Sequence, residues 1–165
     1  MPLERGFLLP SVKLAVLAES DVTGRRRAHR RAKPRKAAAQ GFFDDLKAGD
    51  HGAVVNVISV GAFLFGAYTS MYAAGKGGLL SMPRYMATEF APLGIRVNAL
   101  APGSVDTDMV RRNSAEAQAV MTGIQLMRRM AHPDEMVGPA LMLTSDAGSF
   151  ITGHVVFADG GMVPH

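Results

Sequence analysis

Residues 53 to 60 read AVVNVISV, an almost wholly apolar run that is rich in valine and isoleucine. Runs of this kind are typical of strands that are buried on both faces of a parallel sheet. The stretch therefore predicts a buried parallel strand that carries Ser59 near its carboxyl end.

Two further runs of the same character follow, IRVNALA at residues 95–101 and HVVFA at residues 154–158. The first is stopped by a Pro-Gly pair and the second by Asp-Gly-Gly. Helix-length segments separate the three runs, and strands that alternate with helices are typical of crossover connections within a parallel sheet. We therefore expect an α/β fold in which these three strands are parallel neighbours.

The segments between the strands predict three helical regions. Residues 70–91 suggest one long helix, although Pro83 would then fall in its interior, where proline costs about 3 kcal/mol unless the helix kinks. Residues 107–130 are polar and contain methionine, which suggests a helical flap. A third helix should begin at Pro133, since a proline followed by two acids suits a first helical turn, and should run to about Ser145.

Composition limits the classes of protein to which the chain can belong. Its 165 residues suit one domain with a real core. The chain has no cysteine, which excludes disulfides and zinc–cysteine sites and favours a reducing cytoplasm. No histidine has a second ligand at metal spacing, and no apolar run reaches bilayer length, so we expect neither a metal nor a membrane span. The apolar run at 12–18 is interpreted as a buried strand rather than a signal peptide.

The net charge of +4 comes from one short segment. Residues 25–36 read RRRAHRRAKPRK and hold eight of the 18 lysines and arginines, so ten basic residues face 14 acids elsewhere, a net charge of −4. Nucleic-acid binding is one interpretation of the segment, but no aromatic residues or recognition motif accompany it. We expect residues 24–37 to be disordered, within an atypical N-terminal region of residues 1–50.

Two side chains on the first predicted helix suggest acid–base chemistry. Tyr72 and Lys76 are four residues apart, so they share a helix face. A phenol, with a pKa of about 10, is a poor base at neutral pH, but a nearby ammonium stabilises its charged form. Ser59 follows a buried strand, and the carboxyl ends of parallel strands are where α/β sites form. Taken alone, the tyrosine–lysine spacing is a weak signal that surface helices also show.

The surrounding motifs make the signal specific. They are N56-V-I-S59, Y72-A-A-G-K76, G94-I-R-V-N-A-L-A-P-G103-S-V-D-T107, S145-D-A, T152-G-H and D159-G-G161. In this order and spacing the chain resembles the short-chain dehydrogenase/reductase family over residues 51–165, the catalytic half of a typical member. The resemblance implies the last three strands of a Rossmann-like, doubly wound parallel sheet. Residues 1–165 would then form a single truncated domain.

The resemblance also implies roles for individual residues. Tyr72 would exchange a proton with the substrate oxygen, Ser59 would hydrogen-bond that oxygen, and Lys76 would tune Tyr72 and bind the nicotinamide ribose. Tyr72 and Lys76 would thus contact NAD or NADP together with residues that line the nicotinamide. Those residues are Pro102, Gly103, Val105 and Thr107.

Other family features are not found in this sequence. The glycine-rich turn Thr-Gly-x-x-x-Gly-x-Gly, which cradles the pyrophosphate, and the Asn-Asn-Ala-Gly motif do not occur. Asp21-Val22-Thr23 matches only weakly the strand end that contacts adenine. Gly75 replaces a common serine, and Pro83 interrupts the helix beyond Lys76.

Three functions remain open at this point. The first is an NAD(P)-dependent oxidoreductase that acts on a secondary alcohol or ketone of sugar-acid, polyol or 3-oxoacyl type. The second is a catalytically impaired fragment with an incomplete dinucleotide site, and the third is an assembly partner. The family implies a homo-oligomer with a small-molecule substrate, and nucleic acid is not an expected partner.

Overall fold

The computed structural model describes residues 14–17, 46, 52–64 and 69–163, with only the backbone for the first of these ranges. The basic segment at 24–37 and Asp21-Val22-Thr23 lie outside the described residues. The prediction of disorder at 24–37 therefore stays a prediction.

The described strands form one parallel sheet in the order β1-β2-β3-β4. Their bounds are Leu14–Leu17 for β1, Ala53–Val57 for β2, Arg96–Pro102 for β3 and Val155–Ala158 for β4. In register, Asn56 lies opposite Ala99, and Ala99 lies opposite Val155. The prediction of three neighbouring parallel strands is confirmed, and the apolar run near the N-terminus supplies a strand beside β2.

The described part of the chain contains five α-helices of four or more residues. They are α1 (Ser70–Gly78), α2 (Met82–Phe90), α3 (Asp108–Arg111), α4 (Ala115–Gly123) and α5 (Val137–Thr144). Of these, α2 and α5 cover the two faces of the sheet. Met86 and Phe90 of α2 pack with Val54 on one face, while Leu143 of α5 packs with Val55 on the other. Successive strand residues point to opposite faces, so apolar side chains at both positions require a helix on each side. The fold is thus α/β and doubly wound.

The prediction of a single helix over residues 70–91 is wrong in one respect. The structure has two helices in this range, separated by a break at 79–81. Pro83 is not in a helix interior but in the first turn of α2. Amide groups in a first turn have no partner within the helix, so a proline there costs no hydrogen bond. Gly77 and Gly78, at the end of α1, are poor helix formers and favour a break at this point.

The predicted flap over residues 107–130 also consists of two separate helices, α3 and α4. Ser114 separates them, and its hydroxyl caps α4 by accepting a hydrogen bond from the backbone N–H of Ala117 at 3.2 Å. The third predicted helix begins with a short 3-10 turn at Pro133–Met136 before α5. The proline and the two acids occupy that turn.

Two side chains of β3 tie the sheet to the region around β4. The Arg96 guanidinium donates to the carbonyls of Leu143 at 2.7 Å and Ser145 at 3.1 Å, at the carboxyl end of α5. The Asn98 side chain donates to the carbonyl of Ile151 at 2.8 Å and accepts from the N–H of His154 at 3.1 Å. These bonds hold β4 beside β3, which brings the carboxyl ends of the strands together at one edge.

No helix in the described part of the chain combines the length and apolar character that a bilayer crossing needs. The same residues contain no group of three His, Asp or Glu side chains that could hold a metal ion.

Candidate active site

A cavity of about 510 Å³ opens at the carboxyl ends of β2 and β3. All the candidate site residues line it, namely Ser59, Tyr72, Lys76, Pro102, Gly103, Val105 and Thr107. β2 leads into Ser59, α1 carries the tyrosine and the lysine, and the segment after β3 supplies the rest. The fold thus brings together residues that lie as many as 48 positions apart in the sequence.

Ser59 has an extended backbone and caps a short 3-10 turn at Val60–Ala62. Its Oγ accepts a hydrogen bond from the backbone N–H of Gly61 at 3.1 Å. Because this bond uses a lone pair of the oxygen, the hydroxyl proton can still be donated to another group. The cap holds the serine at a fixed position on the cavity wall.

Gly61 lies between the serine and the tyrosine, a feature that the sequence did not single out. A Cβ atom at Gly61 would lie 3.0 Å from Cε1 of Tyr72 and 3.4 Å from Oγ of Ser59. The Tyr72 ring and the Ser59 hydroxyl therefore both lie close to the position that a side chain at residue 61 would occupy. A residue without a side chain at position 61 allows the Tyr72 ring to come close to the Ser59 hydroxyl.

Lys76 lies one helical turn beyond Tyr72, and its ammonium is directed toward the tyrosine. The Nζ atom is 5.7 Å from the centroid of the Tyr72 ring. The lysine is only 4% exposed, so most of its side chain is removed from water. A positive charge in partly desolvated surroundings acts more strongly on a neighbouring phenol than a solvated charge does.

The segment after β3 forms the wall opposite α1. The backbone of Gly103 approaches Asp159, and a Cβ atom there would lie 2.7 Å from Cα of Asp159. Val105 then forms an isolated parallel bridge with Ala131. Thr107 is the N-cap residue of α3, but its hydroxyl makes no capping bond, and the residue faces the cavity.

The remaining wall is apolar and comes from α3 and from the turn before α5. Its apolar side chains are Met109, Val110, Pro133 and Met136, and the carboxylate of Asp108 lies beside them at the start of α3. The structure places Met109 at the cavity, 53% exposed, and Met127 at a separate cavity near Gly160.

Charged side chains around the cavity are paired with one another. The Arg111 guanidinium bonds both carboxylate oxygens of Asp106, at 2.7 and 3.1 Å, which lowers the pKa of Asp106 below its ordinary value. Arg111 also lies 3.4 Å from Asp108. The Arg129 guanidinium bonds both oxygens of Glu135 at 2.7 Å, and this pairing lowers the pKa of Glu135 to about 2.

Comparison with known proteins identifies the family of this chain. A family model described as enoyl-(acyl carrier protein) reductase matches residues 36–163. The chain belongs to the short-chain dehydrogenase/reductase family.

Two curated relatives carry different names but match a similar share of this chain. The protein FixR of Bradyrhizobium diazoefficiens is 43% identical over 74% of this chain and 43% of its own length. The cis-4-hydroxycyclohexanecarboxylate dehydrogenase of Sinomonas cyclohexanicum is 40% identical over 70% of this chain and 47% of its own. This dehydrogenase/reductase chain thus spans about half the length of the curated relatives it matches.

A solved structure of a candidate NAD(P)-dependent gluconate 5-dehydrogenase from Beutenbergia cavernae, with bound NADP, superposes with a TM-score of 0.69. It is 37% identical to this chain, and the match covers 75% of this chain and 51% of that structure. The similarity extends to the shape of the fold as well as to the sequence.

Proposed function

We propose that this chain carries the proton-transfer side of an NAD(P)-dependent oxidoreductase that interconverts a secondary alcohol and a ketone. The observation that carries the proposal is the convergence of Ser59, Tyr72 and Lys76 on one cavity at the carboxyl edge of the sheet. Membership of the dehydrogenase/reductase family supports the reaction type. The two relatives that are named for a hydroxycyclohexanecarboxylate and for gluconate support a secondary alcohol as the reacting group.

Each of the three residues has a distinct part in the proposed reaction. In the reducing direction the Tyr72 hydroxyl donates its proton to the oxygen of the ketone, and in the oxidising direction its phenolate removes that proton. The Ser59 hydroxyl donates a hydrogen bond to the same oxygen and holds it beside the tyrosine. The Lys76 ammonium stabilises the negative charge on the phenolate.

The nicotinamide end of the cofactor fits the residues present. Pro102 and Val105 give an apolar wall for a planar ring, and the Thr107 hydroxyl, which does not cap α3, can bond a carboxamide. Tyr72 and Lys76 carry the donors for ribose hydroxyls, and the Gly103 backbone adds to the same wall. When bound, NAD or NADP supplies or accepts the hydride. We leave the choice between the two cofactors open.

The proposal is tested by removing only the proton that Tyr72 carries. Tyr72→Phe keeps the ring and should lower the turnover of a ketone substrate by at least about 100-fold, the usual range for a general acid–base group. The matched control is Tyr85→Phe, which removes a hydroxyl from a tyrosine that is 73% exposed and outside the cavity. Turnover is followed by nicotinamide absorbance, and circular dichroism checks that both variants are folded.

Equal turnover by Tyr72→Phe and wild type would contradict the assignment of the proton donor. A wild-type chain that reduces no ketone with either cofactor would contradict the enzymatic proposal and favour the second candidate function.

That second candidate is an assembly role, and the surface of α5 favours it. The helix contains no charged residue, and its Val137 and Leu141 side chains are 51% and 59% exposed. Apolar side chains one helical turn apart on an exposed face are typical of a surface that packs against another protein. We propose that α5 contributes to a homo-oligomer, which light scattering after size-exclusion chromatography would detect. A Leu141→Glu variant should shift the mass toward that of the monomer.

A further inference from the structure

The cavity has an apolar half that the proposed proton transfer does not use. Met109 and Val110 of α3 face Pro133 and Met136 of the following turn. None of these side chains can donate or accept a strong hydrogen bond. A polyol placed against this wall would lose its bonds to water without replacement, which costs free energy for each hydroxyl that is buried.

The charges at the same end of the cavity are unfavourable for an anion. Among the described residues that line the cavity, Lys76 is the cation, and it lies on the side of Tyr72 that we assign to the cofactor. At the α3 end, Asp106 and Asp108 share one guanidinium, that of Arg111, so this cluster carries a net charge of −1. Arg129 lies at the separate cavity near Gly160, where it is bound to Glu135 through both oxygens and adds no net positive charge.

We propose that the substrate half of this cavity takes a neutral, predominantly apolar secondary alcohol or ketone and disfavours a substrate that carries a carboxylate. The inference rests on the proposed function for the reacting end of the cavity. It narrows the substrate class from the sugar-acid, polyol and 3-oxoacyl range to compounds whose non-reacting part is uncharged and poor in hydroxyls.

The test compares cyclohexanone with 4-oxocyclohexanecarboxylate, which has the same ring and carbonyl and one added carboxylate. Binding of each probe to the whole chain is measured by saturation-transfer NMR at low salt. We expect cyclohexanone to bind at least about tenfold more tightly, and we expect the ratio to shrink at high salt because exposed charges are then screened. Equal or tighter binding of the carboxylate, or no transfer to either probe, would overturn the inference.

Two pairs of variants locate the effect. Met109→Trp should fill the opening and weaken the binding of cyclohexanone, whereas Val120→Trp, on an exposed position of α4 away from the cavity, should not. Asp108→Lys should raise the affinity for the carboxylate at least about fivefold through charge attraction. Asp146→Lys makes the same change in net charge at an exposed site outside the cavity and should leave that affinity within about twofold of wild type, since distant exposed charges are screened.

Turnover of both probes with NADH and NADPH separates this inference from the proposed function. Specific binding of cyclohexanone without hydride transfer would contradict the function and leave the substrate class standing. Faster turnover of the carboxylate than of cyclohexanone would contradict the substrate class and leave the function standing.

Discussion

At the scale of single residues, the geometry of the site requires that position 61 carry no side chain. A methyl group at this position would lie 3.0 Å from a ring carbon of Tyr72, closer than carbon atoms normally approach. Gly61→Ala should therefore displace the Tyr72 ring from Ser59 and lower turnover by at least about tenfold, because small misplacements at a reacting centre are costly. Steady-state kinetics with a ketone substrate would measure the loss.

The matched control for this substitution is Gly77→Ala. A methyl group at Gly77 would meet no atom of a neighbouring element within 4 Å in the described part of the chain, and the residue lies inside α1. Alanine there should raise the stability of the protein by about 0.5–1 kcal/mol and leave turnover unchanged. If both alanine variants were fully active, the tight approach at Gly61 would have no part in positioning the tyrosine.

The sequence predicted the polar residues of the cavity better than its apolar ones. Helical periodicity places Tyr72 and Lys76 on one face and the end of a buried strand places Ser59, and the resemblance to the family marks all three as site residues. These are local relations that can be read over a few residues. The role of Gly61 and the wall around Met136 depend on how α1, α3 and the turn before α5 come together in space. No local pattern carries that information.

At the scale of elements, the break between α1 and α2 shows where a sequence argument reached the wrong conclusion. The sequence predicts one helix over residues 70–91, in which Pro83 would fall in the interior at a cost of about 3 kcal/mol unless the helix kinks. The structure starts a new helix instead, with Met82 and Pro83 in its first turn. A proline in a first turn interrupts no bond of the helix, whereas one in the interior removes a bond and clashes with the preceding turn.

The turn before α5 gives a prediction on pH. His132 and Glu135 form a capping box, in which a Glu135 oxygen accepts from the His132 N–H at 2.7 Å while Arg129 bonds both oxygens. This bonding lowers the pKa of Glu135 from 4.5 to about 2. A lowered pKa in the folded state stabilises the protein above pH 4.5, and the contribution is lost as the pH falls toward 2.

Glu135→Gln should therefore lower the melting temperature at neutral pH and make its decline between pH 4.5 and 2 shallower. Thermal unfolding followed by circular dichroism across this range would measure both effects. Asp134→Asn, in the same turn but without a bond to a guanidinium, should change that slope less. An identical slope for wild type and Glu135→Gln would show that the capping box does not form in solution.

At the scale of the whole molecule, the arrangement of strands was predictable because each strand is a short run of apolar residues that can be recognised in the sequence. Apolar runs separated by helix-length segments restrict the sheet to a parallel order, and the observed order β2-β3-β4 follows the sequence. The run at 12–18 predicted a strand, and its parallel pairing with β2 is a long-range relation that composition does not give.

The interior of the sheet was less predictable than the order of its strands, as Asn56 shows. It is fully buried, and neither polar atom of its side chain has a hydrogen-bond partner among the residues that the structure describes.

The residues proposed to bind the cofactor lead to a last prediction, on the affinity of this 165-residue chain for NADH. The residues proposed to hold the nicotinamide end are present, whereas the glycine-rich turn that binds a pyrophosphate does not occur in the sequence. Backbone N–H groups at such a turn, together with a helix dipole, supply strong charge-assisted bonds to phosphate. We therefore expect NADH to bind only at millimolar levels, about −4 kcal/mol. Reduced nicotinamide mononucleotide lacks the adenylate half. Its dissociation constant should lie within about threefold of that of NADH, a difference in binding free energy below 1 kcal/mol. Isothermal calorimetry would measure both affinities, with Lys76→Met as a variant that should weaken them equally. Micromolar binding of NADH together with much weaker binding of the mononucleotide would show that this chain holds the adenylate half through a site built without the glycine-rich turn.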